Sequence, residues 1–397
     1  MSAEADRAAP ITTDHLAAAW DAAVATVRHN IAEFTSWYPD DTTTAGVYRP
    51  RTPRGGQPEG ANAGWTTGFW PGMLWLVWEA TRDDAVLGAA RREVDSFEAR
   101  VVQGIDLDTH DLGFLYTLSC VTPWRLLGDP RARSAALKAA DHLMDRFLEP
   151  AGIIQAWGDL SDPVQRGRTI IDSLMNLPLL YWAAEVTGSR TSTEAAIRHT
   201  EQLRQHIIRP DGTTFHTFYW DPETGEPLRG ATEQGHQDGS CWARGQAWGI
   251  YGFALGYRHV REPSFLDAAR RCADYFLTRL PQDRVAYWDL VFTDGSDQDR
   301  DSSAAAIAVC GLYELADHLD DQDAARHYRA EGDAILTSLA TTYATVPDPG
   351  AAPSPLLLHG VYDKPKDVGV DEGNLWGDYF YLEALSRHVR PEWRSYW

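Results

Sequence analysis

A chain of 397 residues with 44% hydrophobic content can bury one large core or two modest ones. Its net charge of −21 speaks against a nucleic-acid binder, since phosphate recognition needs a basic stripe and none is present. Four scattered cysteines, Cys120, Cys241, Cys272 and Cys310, form no C-x-x-C pair, which suits reduced thiols in a disulfide-poor compartment and gives no zinc signature.

In chain order, residues 1–11 are polar and acidic, with no apolar segment behind a basic start, and are expected to be disordered. No later stretch has the roughly 18 uninterrupted apolar residues of a membrane span, so a cytoplasmic protein without membrane contact is expected. Apolar residues then recur at helical spacing in segments starting near residues 12, 65, 86, 109, 131, 170, 192, 241, 263, 302, 322 and 375, each closed by Gly, Pro or Asp. Such helices, joined alternately by short turns and long loops, predict an all-α fold: six hairpins around an axis, an (α/α)6 barrel, forming one domain over 12–397.

The long connections at 38–64, 150–169, 209–240, 281–301 and 346–374 are rich in Gly, Pro, Asp and Trp and are expected to line one mouth. Loops beyond about 12 to 15 residues in a compact domain are usually functional. Two contain runs that predict short strands, Phe215–Trp220 and Ala286–Leu290. The 16 Trp, 16 Tyr and 12 Phe offer flat faces suited to sugar rings, although core packing is the ordinary use of any one ring.

No H-E-x-x-H, phosphate-binding G-x-x-x-x-G-K-[ST] or G-x-S-x-G motif occurs. Two carboxylates stand out because each interrupts an apolar helix start: Asp111 in Thr109-His110-Asp111-Leu112-Gly113-Phe114, and Asp172 in Ile170-Ile171-Asp172-Ser173-Leu174-Met175-Asn176. Each reads either as a helix N-cap or as a reacting group.

These runs belong to a larger set. Trp65-Thr66-Thr67-Gly68-Phe69-Trp70 precedes them, and Cys241-Trp242-Ala243-Arg244-Gly245-Gln246-Ala247-Trp248 and Gly373-Asn374-Leu375-Trp376-Gly377-Asp378-Tyr379 follow. In this order, across most of the chain, they resemble the unsaturated glucuronyl hydrolases of glycoside hydrolase family 88. The resemblance implies an (α/α)6 barrel without metal or cofactor, acting on an oligosaccharide, most simply a disaccharide, that ends in a 4-deoxy uronic acid with a C4=C5 double bond. It assigns Asp172 as general acid and base and Asp111 as a second essential carboxylate. Trp65, Phe114, Trp157 and Trp248 become pocket walls, and His216, Gln234 and Arg244 its polar contacts. Arg244 is the expected partner of the uronate, through two parallel hydrogen bonds. Protonating C4 needs an acid that is neutral near neutral pH, and burial beside an ionised Asp111 would keep Asp172 so.

The sequence departs from the family pattern at Glu233, where relatives often carry His before the Gln; a pairing of Glu233 with His216 or His236 is one reading. The loop that carries sulfate-contacting serines and a lysine in some relatives here reads Tyr362-Asp363-Lys364-Pro365-Lys366-Asp367. Unsaturated rhamnogalacturonyl hydrolases, which act on pectin fragments, and sugar epimerases share the barrel and stay as alternatives. A monomer or a homodimer suits the reading equally.

Overall fold

The structure, a computed structural model, describes residues 13–162, 165–348, 350 and 352–397. The 1–11 segment expected to be disordered lies outside the described residues. In chain order the helices are α1 (Thr13–Phe34), α2 (Phe69–Thr81), α3 (Asp84–Gln103), α4 (Leu112–Tyr116), α5 (Thr122–Leu127), α6 (Pro130–Met144), α7 (Pro178–Thr187), α8 (Arg190–His206), α9 (Ala243–Val260), α10 (Pro263–Thr278), α11 (Ser302–His318), α12 (Gln322–Ser338) and α13 (Leu375–Val389). A π-helical turn, Thr117–Val121, joins α4 to α5 as one segment, and a 3-10 turn, Ile171–Asn176, leads into α7.

The segments alternate between two rings. α2, α4–α5, α7, α9, α11 and α13 form an inner ring that closes where α13 packs against both α11 and α2. α1, α3, α6, α8, α10 and α12 surround it, giving the (α/α)6 barrel. Composition dictates which ring a helix joins. α2 buries ten consecutive residues, Phe69 to Trp78, and a helix apolar all round must be enclosed. α10 instead buries one stripe, Phe265, Ala268, Ala269, Cys272, Ala273 and Phe276, and leaves its other face to solvent.

Each inner helix except α13 runs through a short turn into its outer partner, and carboxylates fix most of these turns. Asp83, Asp129, Glu262 and Asp321 accept first-turn N–H groups of α3, α6, α10 and α12. The return connections, from outer C-terminus to inner N-terminus, are the long loops, except for the eight residues between α3 and α4. All therefore gather at one end, where the positive ends of the inner helix dipoles also point.

Within the loops, β1 (Phe147–Leu148) pairs with β2 (Ile153–Ile154), β4 (Thr217–Trp220) lies between β3 (Arg168–Ile170) and β5 (Pro227–Ala231), and β6 (Gly360–Asp363) pairs with β7 (Val368–Glu372), all antiparallel. The strand expected within Phe215–Trp220 forms; the one at Ala286–Leu290 does not. That stretch makes only isolated bridges, Tyr287 with Arg300 and Asp289 with Trp242. The Asp289 carboxylate supplies what a ladder would have supplied, accepting from the backbone N–H groups of His236, Cys241 and Val291 and from the Ser240 hydroxyl.

Candidate active site

Two short elements bring the aspartates together. A Cβ on Gly113 would lie 2.1 Å from the Asn176 Cα, so only glycine lets α4 meet the 3-10 turn. Asn176 then ties the two: its Oδ1 accepts the Phe114 backbone N–H at 2.8 Å. Neither aspartate is spent as a helix cap. Asp111 occupies the N-cap position of α4, yet its side chain accepts no first-turn N–H, and Ile170 holds that position for the 3-10 turn.

Both face a cleft of about 460 Å³ at the loop end of the barrel. Asp172 Oδ1 is buried with no hydrogen-bond partner. Burial, followed by the nearby Asp111 charge, pushes its pKa well above the ordinary carboxylate value, against the weaker pull of Arg244. Burial also raises Asp111, to about 6, although Thr109, Arg54, Asn176 and Arg146 all favour its charged form. The Thr109 hydroxyl donates to Asp111 at 2.7 Å. His110 Nε2 lies 3.3 Å from the same carboxylate, but burial depresses the imidazole to about 3, so it is neutral and the contact is not an ion pair. One carboxyl that keeps its proton beside one that ionises first is the arrangement of a proton donor and its electrostatic partner.

Of the residues expected around them, Trp65, Trp157, His216, Gln234, Arg244 and Trp248 line the cleft. Phe114 does not. It is fully buried behind the wall, 5.6 Å from the Trp65 ring and 5.3 Å from Trp248. Its position directly after Gly113, in the tightest part of the α4 contact, puts its ring inside the barrel.

His216 Nδ1 accepts the backbone N–H groups of Glu233 (3.1 Å) and Gln234 (3.3 Å). Burial, then Arg244 and Lys366, lower its pKa to about 3, so the ring is neutral and carries its proton on Nε2. The Glu233 carboxylate itself is exposed at the rim, and His236 packs on Trp288 and Phe292 instead. Neither expected pairing of Glu233 forms through its side chain.

Arg244 corrects a second expectation. Its guanidinium is buried and lies 4.3 Å over Trp242. Its terminal nitrogens donate to Asp301 (3.1 Å), Gln234 Oε1 (2.9 Å), the Tyr362 carbonyl (2.8 Å) and the Val361 carbonyl. Those four bonds use the terminal donors, so no two-pronged fork remains for a carboxylate. Arg244 instead supplies buried positive charge and turns Gln234 so that its NH2 group is the free end.

The cleft also contains Arg54, Asp106, Asp108 and Trp242, which sequence reasoning did not single out, and Tyr362 and Lys366 from the loop that departs from the family pattern. Asp106 and Asp108 come from the eight-residue connection between α3 and α4, too short to register as a long loop. Trp242 carried a usable signal: two residues before a buried Arg, just ahead of the helix, it stacks on that guanidinium. The 281–301 loop lines nothing here and acts from behind, through Asp301 and Asp289. Lys364 and Lys366 pair with Asp299 (2.5 Å) and Asp363 (2.7 Å).

A broader depression of about 590 Å³ lies at the other end, beside Tyr181 and His259. Its carboxylates, Glu185 and Glu194, are exposed and sit by Arg125 and Arg190, so it holds no pair of the reactive kind. Among the described residues no group of three or more His, Cys, Asp or Glu is placed to hold a metal ion, and no helix is long and apolar enough to cross a membrane. The four cysteines are free and buried.

A partly buried carboxylate pair among tryptophans at the loop end of an (α/α)6 barrel defines a carbohydrate-active enzyme, and comparison with known proteins gives its family. The model of Glycosyl Hydrolase Family 88 matches residues 32–345. The chain is 46% identical over 389 residues to the unsaturated chondroitin disaccharide hydrolase of Streptococcus pyogenes serotype M1, covering 98% of this chain and 94% of that one. The crystal structure of an unsaturated glucuronyl hydrolase from Streptococcus agalactiae superposes with a TM-score of 0.92 at 44% identity, over 98% of this chain and 95% of that one. A variant of the S. agalactiae enzyme complexed with dGlcA-GalNAc6S superposes with a TM-score of 0.84 at 41% identity, over 98% and 95% of the two chains. The chain belongs to Glycosyl Hydrolase Family 88 and is a glycoside hydrolase.

Proposed function

We propose that the protein removes the 4,5-unsaturated uronic acid from the non-reducing end of lyase-generated oligosaccharides, disaccharides above all, by hydrating the C4=C5 bond. One observation carries the reading: Asp172 sits in a tryptophan-walled cleft with an unpartnered carboxyl oxygen and a pKa pushed well above the ordinary value, beside the more easily ionised Asp111.

In the reaction, the Asp172 carboxyl gives its proton to C4, and the positive charge develops on C5 and the ring oxygen. The carboxylate left behind takes a proton from water as that water's oxygen bonds to C5, which restores the acid. The hemiketal opens to a C5 ketone and moves a hydroxyl onto C1, and the hemiacetal at C1 then collapses to an aldehyde and releases the neighbouring sugar. No nucleophile attacks the anomeric carbon, so the rule relating carboxylate separation to retention or inversion does not apply. Asp111 holds ring hydroxyls and keeps Asp172 protonated. The uronate is received by neutral donors, His216 Nε2–H and the Gln234 NH2, with the Arg244 charge behind them. Trp65, Trp157 and Trp248 supply the walls. His216 is the one histidine lining the cleft among the described residues, which speaks against the paired-histidine chemistry of an epimerase.

Residues 12–397 act as one catalytic domain, in the cytoplasm, as a monomer or homodimer, on short imported fragments. The test is to supply unsaturated disaccharides from chondroitin, hyaluronan, heparin and pectin and follow the ultraviolet absorbance of the conjugated double bond. Loss of absorbance that Asp172→Asn abolishes is expected. Unchanged absorbance on every disaccharide would overturn the reading, and turnover of the pectin product alone would move it to the rhamnogalacturonyl group.

A further inference from the structure

Residues 390–397 run beneath the barrel on the side away from the cleft. Trp393 Nε1 and the Tyr396 hydroxyl both donate to Glu79, at 2.7 and 2.8 Å. Trp397 reaches further in and is 1% exposed. Its Nε1–H donates to Glu383 at 2.9 Å, and its ring lies parallel to Phe380 at 5.9 Å and edge-on to Phe114 at 5.9 Å. Phe114 and Phe380 each lie 5.3 Å from Trp248, and Phe114 also supports Trp65 at 5.6 Å. An unbroken series of ring contacts therefore joins Trp397 to two walls of the cleft at the opposite end.

We propose that Trp397 is a positioning residue for the sugar pocket: it closes the inner ring from the far end and holds Phe114 and Phe380 against Trp65 and Trp248. The inference rests on the sugar-binding role given above to those two walls. Protein interiors are packed like organic crystals, so a missing ring leaves a void into which its neighbours tilt. Phe114 is prone to this because its backbone is pinned to Asn176 while its ring has packing alone to hold it. Trp397 is itself held firmly. Glu383 also accepts from Arg387 at 3.0 Å and from the Tyr251 hydroxyl, which fixes the carboxylate that fixes the indole.

Trp393 provides the control. It anchors the same segment and is also buried, but its ring meets Tyr396 and the Arg387 guanidinium, not Phe114 or Phe380. Trp397→Ala should raise KM about tenfold with a much smaller change in kcat, whereas Trp393→Ala should leave KM within about twofold even where its melting temperature falls as far. The Trp397→Ala void, on the order of 150 Å³ and apolar, is of a kind that takes up aromatic molecules, so added indole should restore KM in that variant and not in wild type.

Near-ultraviolet circular dichroism needs no substrate and sums the packing of all the aromatic rings, those of Trp65, Phe114 and Trp248 among them. It should change in Trp397→Ala and return with indole, so this arm stands even if every disaccharide proves inert. If Trp397→Ala does not fold, Trp397→Leu and Trp397→Phe replace it, with KM raised in the leucine variant and nearly normal in the phenylalanine one. Equal KM changes in the Trp397 and Trp393 variants, or a circular dichroism spectrum indifferent to both Trp397→Ala and indole, would overturn the proposal.

Discussion

The two ends of the barrel bury carboxylates with opposite results. At the cleft, Asp172 has an unpartnered oxygen, and burial together with Asp111 drives its pKa up. At the far end, Glu314 is more enclosed still, and burial alone would raise it too. There Arg258 and Arg387 reverse the balance and hold it well below the usual value. Arg387 meets Glu314 at 2.8 Å and Arg258 meets it at 3.3 Å. An arginine is close to each carboxylate, so proximity of positive charge is not what differs. Arg244 spends its terminal N–H groups on Asp301, Gln234 and two carbonyls, and Asp172 receives only its field. A proton donor is made here by withholding a partner, and a structural ion pair by supplying two.

The comparison breaks most completely at Asp172. Asp172→Asn removes the proton that C4 would receive, and activity should fall by about 10⁴-fold, the upper range for a general acid and base. The fold should not suffer. A carboxyl whose pKa is raised on folding contributes stability that is present below its unfolded value and lost as pH rises through its folded value. Thermal melting of wild type and variant across pH should therefore show the variant gaining on wild type as the solution becomes more alkaline.

Glu314→Gln is the mirror experiment. It should leave turnover of folded enzyme nearly intact but cost about 3 kcal/mol of stability, because Arg258 loses its buried counter-charge and Arg387 keeps only Glu383. Glu314 has a depressed pKa, so its contribution is present above its ordinary value of 4.5 and lost as pH falls through the lower folded value. The gap between wild-type and variant melting temperatures should accordingly close in strong acid. A gap that persists there would mean that packing, not charge, holds this end together.

Asp111→Asn sharpens the cleft side. An ionised Asp111 and a protonated Asp172 together give a bell-shaped pH dependence of kcat/KM, with the acid limb near Asp111's pKa of about 6 and the alkaline limb above it. The asparagine variant should be slower by about 10²-fold or more and should lose the acid limb. Its alkaline limb should move to lower pH, since the like charge that kept Asp172 protonated is gone. An unmoved alkaline limb would mean that burial alone sets Asp172.

Much of the barrel was legible in the sequence because its two rings differ in composition. α2 is apolar throughout and α10 striped, and periodicity reports that directly. The predicted starts near 263, 302, 322 and 375 coincide with the observed helices, where Pro263 or a capping Asp or Asn marks the first turn. The proposed catalytic pair was visible as carboxylates interrupting apolar helix starts, although a cap and a reacting acid look alike until the hydrogen bonds are known. What stayed hidden depends on three-dimensional closure. Nothing in the order of residues says that Arg244 uses its fork on Asp301 and two carbonyls, or that Phe114 turns inward while Trp65 turns toward the cleft. Asp106 and Asp108 were missed because they share the mouth through the ring's geometry and not through a long loop.

The smallest effect expected is at Asn176, and it tests how finely the cleft is tuned. Its Oδ1 is taken by the Phe114 N–H, while its buried NH2 group favours the charged form of Asp111. Asn176→Ala removes that support, and the groups left to stabilise the Asp111 charge are Thr109, Arg54 and Arg146. Asp111 then ionises at a higher pH than before, and activity that needs its charge starts to fail earlier as the solution is acidified. The acid limb of kcat/KM should rise by about half a pH unit, with a stability cost of about 1 kcal/mol for the unpaired Phe114 N–H. The alkaline limb should stay in place, because Asp111 is already ionised there and Asp172 feels the same neighbour. A variant in which both limbs moved together would show that Asn176 sets the separation of the two aspartates, and not only the charge of one.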